Sequence, residues 1–488
     1  MRASRCAVRC DGCHGLSRRD FLAATSAASV AVLGGCLPVS RGMAVRKAQG
    51  HGPASRLVPR VKACFVRRKG EYGMRWPGQV YDGEAARRKY TEQIVATASG
   101  LGLNLDLRKQ PIYSKQEADA WVAEAAAAKP DGLLVVLLDR QQHAWPTANK
   151  AIATELPTVV FSPVGSSFTT NTAGPSKKGG CFICSTDDFG QVAYGMKMIH
   201  AAARLKATRC LVIKGGKRAE RQMPDLGIQL QMVPAKDFLD TYRKTPEDAE
   251  VLAMANDYWR RARRRGSASR QDVVNGVKSY IVARTLLERE QADAITMDCL
   301  GALGRSKASL PCIAWSKMND DGVPAACEAD LGAVASHAIV QYLFDRPGFQ
   351  QDPVAETARG AIIGAHCCCA TRLRGFDQSP EPFDIVHHHG ERDATARPLW
   401  RVGQRVTSVD VLPGRKGAAA KMLISAGEVI DNVDVPPAGG CVVSVMVKFD
   451  GVTDVLAYPG FHQVFFYGDF KRQAVAFCRL AGIEPVVV

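Results

Sequence analysis

The stretch MNDDGVPAACEADL, residues 318–331, sets Glu328 and Asp330 directly after a run of very small residues and between two apolar segments. Unpaired carboxylates at the end of a buried strand are costly, so a positive group must meet them there. Three more polar residues stand at similar edges: Asp352 in RPGFQQDPV, His366 at the end of the apolar run AIIGAH, and His462 between a Pro-Gly turn and a hydrophobic run in AYPGFHQVFFYGD. Two carboxylates, Glu328 and Asp352, with two imidazoles, His366 and His462, make a hard-to-borderline donor set suited to a divalent ion such as Mn²⁺. Each residue also has an ordinary role open to it: a helix N-cap for Asp330, a turn for Asp352, a satisfied core histidine for His366 or His462. Glu356 competes with Asp352 for the second carboxylate. His387, His388 and His389 are open to a role at such a site or to a solvent-facing strand.

Positioning these side chains takes a repeating strand and helix framework. ACFV (63–66), GLLVVLLD (132–139) and TVVFS (158–162) alternate with helical patterns, one of which opens on a Ser114/Glu117 capping box. The same rhythm returns with RCLVI (209–213), a long amphipathic helix carrying Val274, Val277 and Ile281, and DAITMDCL (293–300). LPCIAW (310–315) reads as a strand, SKMNDD as a short helix ended by Gly322, and VPAAC as a strand with Glu328 at its carboxyl end. The helix after it has Leu331, Val334, Ala338 and Tyr342 on one stripe. Past about residue 370 come short strands separated by Gly, Pro and Asp turns, then a closing helix in KRQAVAFCRLAGI. The expected fold class is α/β: two Rossmann-like α/β domains over 60–200 and 201–370, then a C-terminal β-rich, barrel-like domain over 371–488.

At the N-terminus, SRRDFL (17–22) followed by FLAATSAASVAVLGG is a twin-arginine export signal, with residues 1–36 as the signal peptide. LGGC (33–36) resembles a lipobox, which would place a lipid anchor on Cys36; an ordinary signal-peptide end is the alternative. Residues 37–59 read as a polar, basic tether. The expected location is therefore periplasmic or lipid-anchored. No other apolar run approaches the roughly twenty residues needed to span a bilayer, so no integral membrane domain is expected.

The net charge of +16 raises nucleic acid as a partner, but the excess sits in the first seventy residues and in RRARRR (260–265) without interleaved aromatics, so none is expected. No G-x-G-x-x-G, P-loop or G-x-S-x-G motif is present. Most of the sixteen cysteines lie in apolar segments and read as buried thiols. CAVRCDGC (6–13) lies upstream of the export signal, CFIC (181–184) lacks a second pair, and HCCCA (366–370) would put adjacent thiols on alternating sides of an extended chain, unable to converge on one ion without distortion.

The segment LPCIAWSKMNDDGVPAACEADLGA resembles that of the L-fucose isomerase and L-arabinose isomerase superfamily in which a strand leads to a Glu followed two residues later by Asp. The resemblance runs on through RPGFQQDPV, IIGAHC, RVTSVDVL, AKMLISAGEVI and GFHQVFFYGDFKRQAVAFCRLAGIE, covering roughly 60–488 and strongest from 270 onward. It implies a metal-dependent aldose-ketose isomerase acting on a deoxyhexose or pentose such as L-fucose or L-arabinose through an enediol, usually a homo-oligomer using Mn²⁺. Glu328 and Asp352 then bind metal and form the acid/base pair, His462 completes the site, and His366 matches the strand-end His of the arabinose branch. An export signal is unexpected on such an enzyme. The competing reading is an exported, non-catalytic sugar-binding protein of the same fold.

Overall fold

The computed structural model describes residues 47–488 other than 71, 76–78, 141–142, 305, 390–391, 415–416 and 435–440. The expected export signal, Cys36 and the first cysteine cluster lie outside the described residues.

The first sheet is wholly parallel, its strands lying in the order Asn104–Leu107, Arg60–Val66, Gly132–Leu137, Thr158–Ser162, Cys181–Ser185. Helices cover both faces of such a sheet, so its central strand carries no alternation: every residue of GLLVVL is buried. The second sheet runs Ala325–Cys327, Ala294–Met297, Arg209–Ile213, Gln229–Val233, Ala219–Gln222, parallel except for the last strand. Its edge strand Ala325–Cys327 is the one that leads to Glu328.

The third unit is a closed antiparallel barrel of six strands. Around it run Arg405–Leu412, Gln463–Tyr467, Phe349–Glu356, Ala361–His366, Val443–Phe449 and Lys421–Asn432, the last pairing back onto the first. Closure removes the exposed edges that an open antiparallel sheet would leave. Two α/β sheets followed by a barrel is the architecture expected from the sequence. The boundary differs: the barrel begins at Phe349 rather than 371, because Phe349–Glu356 and Ala361–His366 are two of its staves. The hairpin Phe383–His389/Arg392–Pro398 stays outside it and packs on the helices Arg270–Arg289 and Cys312–Asp320.

Three local expectations are corrected. LPCIAW is not a strand: Cys312–Asp320 is helical, the run being too short for its apolar period to separate strand from helix. The helix Leu331–Phe344 has no single buried stripe; residues 332–344 are all buried, because it is wedged between the Phe189–Ala207 helix and the barrel strands Arg405–Leu412 and Gln463–Tyr467. The described part of the tether, from residue 47, is docked. The buried Asp293 carboxylate accepts hydrogen bonds from the backbone N–H groups of Ala54 (3.1 Å), Ser55 (2.9 Å) and Arg209 (3.0 Å), and a Cβ on Gly52 would collide with it.

Among the described residues, no helix is long and apolar enough to cross a membrane. The basic run is internally paired: Arg263 forks onto the buried Asp384 at 2.9 and 2.7 Å, and Arg261 binds Asp257 at 2.9 Å.

Candidate functional site

Glu328 follows the last residue of the edge strand, at the carboxyl end where open α/β sheets collect ligands. The chain turns there at once: the N–H of Asp330 donates to the carbonyl of Cys327 at 3.2 Å, and the two central residues, Glu328 and Ala329, have φ of 64° and 55°. Non-glycine residues in that region are strained, and such strain persists where surrounding structure over-determines it. Two bonds fix the turn. The N–H of Ala329 donates to the carbonyl of Met297 at 2.9 Å, and Gln350 of the barrel accepts from the N–H of Cys327 at 2.8 Å. Asp330 then caps the buried helix, accepting from the N–H of Ala333 at 2.7 Å.

The barrel supplies the other three side chains through its register. Phe349–Glu356 lies between Gln463–Tyr467 and Ala361–His366, with Gln351 opposite Gln463 and Asp352 opposite Ala365. That pairing brings Asp352, His366 and His462 to one end of three adjacent staves. Asp352 is thus a strand residue, not a turn residue. His462 has φ of 55°, and the loop before it is held by Asp410, whose carboxylate accepts from the N–H of Phe461 at 3.2 Å. A Cβ on Gly460 (φ 95°) would press against Gln463 Nε2 at 2.7 Å and Asp410 Oδ2 at 2.8 Å, which reserves that position for glycine.

The four predicted residues meet. His462 Nε2 lies 3.3 Å from Asp352 Oδ1 and 3.5 Å from Glu328 Oε2, while His366 Nε2 lies 3.8 Å from Glu328 Oε1. The two imidazoles touch edge to face with ring centres 5.5 Å apart. Both are buried, whereas the side chains of Glu328 and Asp352 retain 41% and 27% of their exposure, so the carboxylates form the open rim and the rings the floor. His462 Nε2 and Asp352 Oδ1 are buried atoms with no hydrogen-bond partner.

The other nitrogen of His462, Nδ1, stands 3.0 Å from Asp330 Oδ2. Burial alone would push the Asp330 carboxyl up, but the bonds from His462 and from the N–H of Ala333 hold it below the usual carboxylate range. Burial would likewise push the His366 imidazole down; the Cys367 sulfur and the Asp352 carboxylate carry it up instead, to about 10. Asp410 goes the other way, raised to about 6 by burial and by the charge of Asp330.

Asp330 sets the orientation of the His462 ring, so that Nε2 faces two carboxylate oxygens, and carboxylates gathered in this way call for positive charge among them, from a ring proton or from a bound cation. The donor types and their 3.3–3.8 Å separations fit a divalent cation of the Mn²⁺ class, for which oxygen and imidazole ligands are suited.

The rivals are placed elsewhere. Glu356 binds the N–H groups of Ala358 (3.2 Å) and Arg359 (2.7 Å) in the hairpin turn beyond its own strand. His387 is buried against Asp272 at 3.3 Å, and His388 is buried near Cys312 and Cys367, so neither faces solvent on its strand. The thiols after His366 do converge, through the distortion that this requires. The strand ends at His366 and the chain bends, so alternation stops, and Cys327 Sγ lies 4.0 Å from that of Cys367 and 3.2 Å from that of Cys368. Gln350 and Asp410 escape a sequence reading altogether, since nothing local to either marks it as a neighbour of Glu328 or His462.

No known family profile and no curated protein sequence matches the chain. Among solved structures, the chain is similar to an ABC transporter periplasmic solute-binding protein from Actinobacillus succinogenes 130z with bound D-allose, at 13% identity over 55% of this chain and 76% of that one, with a TM-score of 0.18. A likeness so slight carries no weight for what this chain does.

Proposed function

We propose that the chain is a metal-dependent aldose-ketose isomerase of the L-fucose and L-arabinose isomerase type, exported, homo-oligomeric, and acting on a deoxyhexose or pentose. One observation carries the reading: Glu328 at the edge of an α/β sheet, His366 at the end of a barrel strand and His462 in the loop before another bring donor atoms within 4.8 Å of one another, with Asp352 3.3 Å from His462 beside them. Glu328, Asp352, His366 and His462 would hold the cation.

Moving a proton between C1 and C2 of a sugar passes through an enediol whose oxygens gain negative charge. A bound Mn²⁺ would supply charge stabilisation for those oxygens. The rest falls to the side chains. Glu328 and Asp352 are the groups on the open rim, within reach of a sugar, and share the work of taking the carbon-bound proton and relaying the hydroxyl proton. Asp330 holds the tautomer of His462, and Gln350 holds the turn that presents Glu328.

The test is a screen of deoxyhexoses and pentoses for aldose-ketose interconversion by the full-length protein with Mn²⁺ and with chelator. Interconversion that needs Mn²⁺ and vanishes in Glu328→Gln is the expected result. Sugar binding by metal-free protein with no turnover would instead make it a non-catalytic binding protein. Sequencing the mature N-terminus tests export and lipidation at Cys36.

A further inference from the structure

Behind the site just described lies a second donor cluster of different chemistry. Cys327 precedes Glu328, and Cys367 and Cys368 follow His366, so the same two chain segments that send oxygen and nitrogen donors outward send three sulfurs inward. Cys327, Cys367, Cys368 and His366 each offer a donor atom within 4.8 Å of every other, and all four residues are buried. His366 faces both ways: Nδ1 lies 3.4 Å from Cys367 Sγ, and Nε2 is turned to Glu328.

Buried thiols are usually isolated space-fillers. Cys64, Cys210 and Cys478 fit that description, packed in hydrophobic clusters other than the one that holds Cys327, Cys367 and Cys368. This cluster does not. Three thiols from segments about forty residues apart come together with an imidazole, and their sulfur separations of 3.2 and 4.0 Å bracket the roughly 3.8 Å expected between thiolates sharing one tetrahedral zinc with bonds of about 2.3 Å. The surroundings are an apolar cluster that includes Ile313, Met297 and Ala325, as a closed structural site requires. Cys369 differs, its thiol donating to the carbonyl of Ala370.

We infer that Cys327, Cys367 and Cys368, with Nδ1 of His366, form a structural Zn²⁺ site. On binding, each thiol gives up its proton to solvent as its sulfur bonds the cation, three protons leaving per ion, while His366 donates its Nδ1 lone pair and keeps its proton on Nε2; with a second cation on Nε2 that ring proton leaves too and the ring bridges as imidazolate. The ion ties the end of the second sheet to the barrel, and the imidazole of His366 joins the two sites. The three sulfurs play no part in the isomerase reading; His366 is the one residue the two sites share.

Co²⁺ is the probe. Full-length protein prepared with reductant and stripped of metal should take up Co²⁺ with near-ultraviolet thiolate charge-transfer absorption and tetrahedral visible bands, and about one equivalent of Zn²⁺ should bleach them. Cys327→Ser and Cys368→Ser should lose the charge-transfer bands; Cys369→Ser and Glu328→Gln should keep them, the last separating this site from the oxygen-rich one. Wild-type protein that binds Co²⁺ with no thiolate band would overturn the inference, whatever the variants do. So would bands that survive both Cys327→Ser and Cys368→Ser, or a Cys327–Cys368 disulfide in the protein as isolated.

Discussion

Asp330 Oδ2 lies 3.0 Å from Nδ1 of His462, joining the N-cap of a buried helix to a barrel loop 132 residues away. The carboxylate does two jobs at once, capping the helix and fixing which nitrogen of His462 faces Glu328 and Asp352. Metal-ligating histidines characteristically carry such a partner, and removing one costs roughly 10–100-fold in metal affinity. Asp330→Asn separates the jobs, because asparagine caps a helix about as well as aspartate. Mn²⁺ titration should show affinity falling by roughly that factor, while the denaturation midpoint of metal-free protein stays close to wild type. An unchanged affinity would leave Asp330 as a cap only.

Glu328 and Glu356 form an internal control. Glu328→Gln removes a rim carboxylate, and turnover should drop below detection with the fold intact. Glu356→Gln touches only its hairpin turn, so metal content and rate should match wild type within about twofold, its stability changing by about 1 kcal/mol or less. A large rate loss in Glu356→Gln would reassign the second carboxylate.

Gln350 is the link between sheet and barrel. Its Oε1 accepts from the buried N–H of Cys327, so Gln350→Ala leaves that donor without a partner, at a cost of about 1–3 kcal/mol. The midpoint in urea should fall accordingly, and metal affinity should fall with it because Glu328 loses the brace of its turn. Loss of stability with undiminished metal binding would show that the turn holds itself.

His337 sets a pH dependence. It is fully buried in the Leu331–Phe344 helix, where burial, and then the charge of His366, pushes its pKa from 6.5 to about 3. The folded-state pKa is below the unfolded one, so the unfolded chain binds the extra proton: stability is intact above 6.5 and is lost as pH falls from there toward 3. The slope from this residue approaches about 1.4 kcal/mol per pH unit. Denaturation of metal-free protein at a series of pH values should show wild type losing stability relative to His337→Gln across that window. Parallel curves would mean that His337 takes up its proton without penalty in the fold.

The two α/β units and the barrel were legible because their strands and helices carry strong periodic patterns. The candidate site was legible for a related reason: Glu328, His366 and His462 are polar residues abutting apolar runs, and each abutment is a strand end. What escaped sequence reasoning is set by contacts distant in the chain. LPCIAW is apolar on every side, so strand and helix look alike until the Arg270–Arg289 helix packs on it. The start of the barrel was misjudged because a stave such as FQQDPVAE alternates no more clearly than a loop. The thiols of Cys367 and Cys368 seemed to diverge because alternation was carried one residue past the end of the strand. The pairings of His462 with Asp330 and of Cys327 with Gln350 exist only once the barrel closes.

The most direct measurement is anomalous diffraction at the manganese edge from crystals grown with Mn²⁺. A single strong peak within bonding distance of Glu328, Asp352, His366 and His462 is the expected result, absent from crystals of Glu328→Gln grown in the same way. A map with no peak among those four side chains at saturating Mn²⁺ would contradict the account.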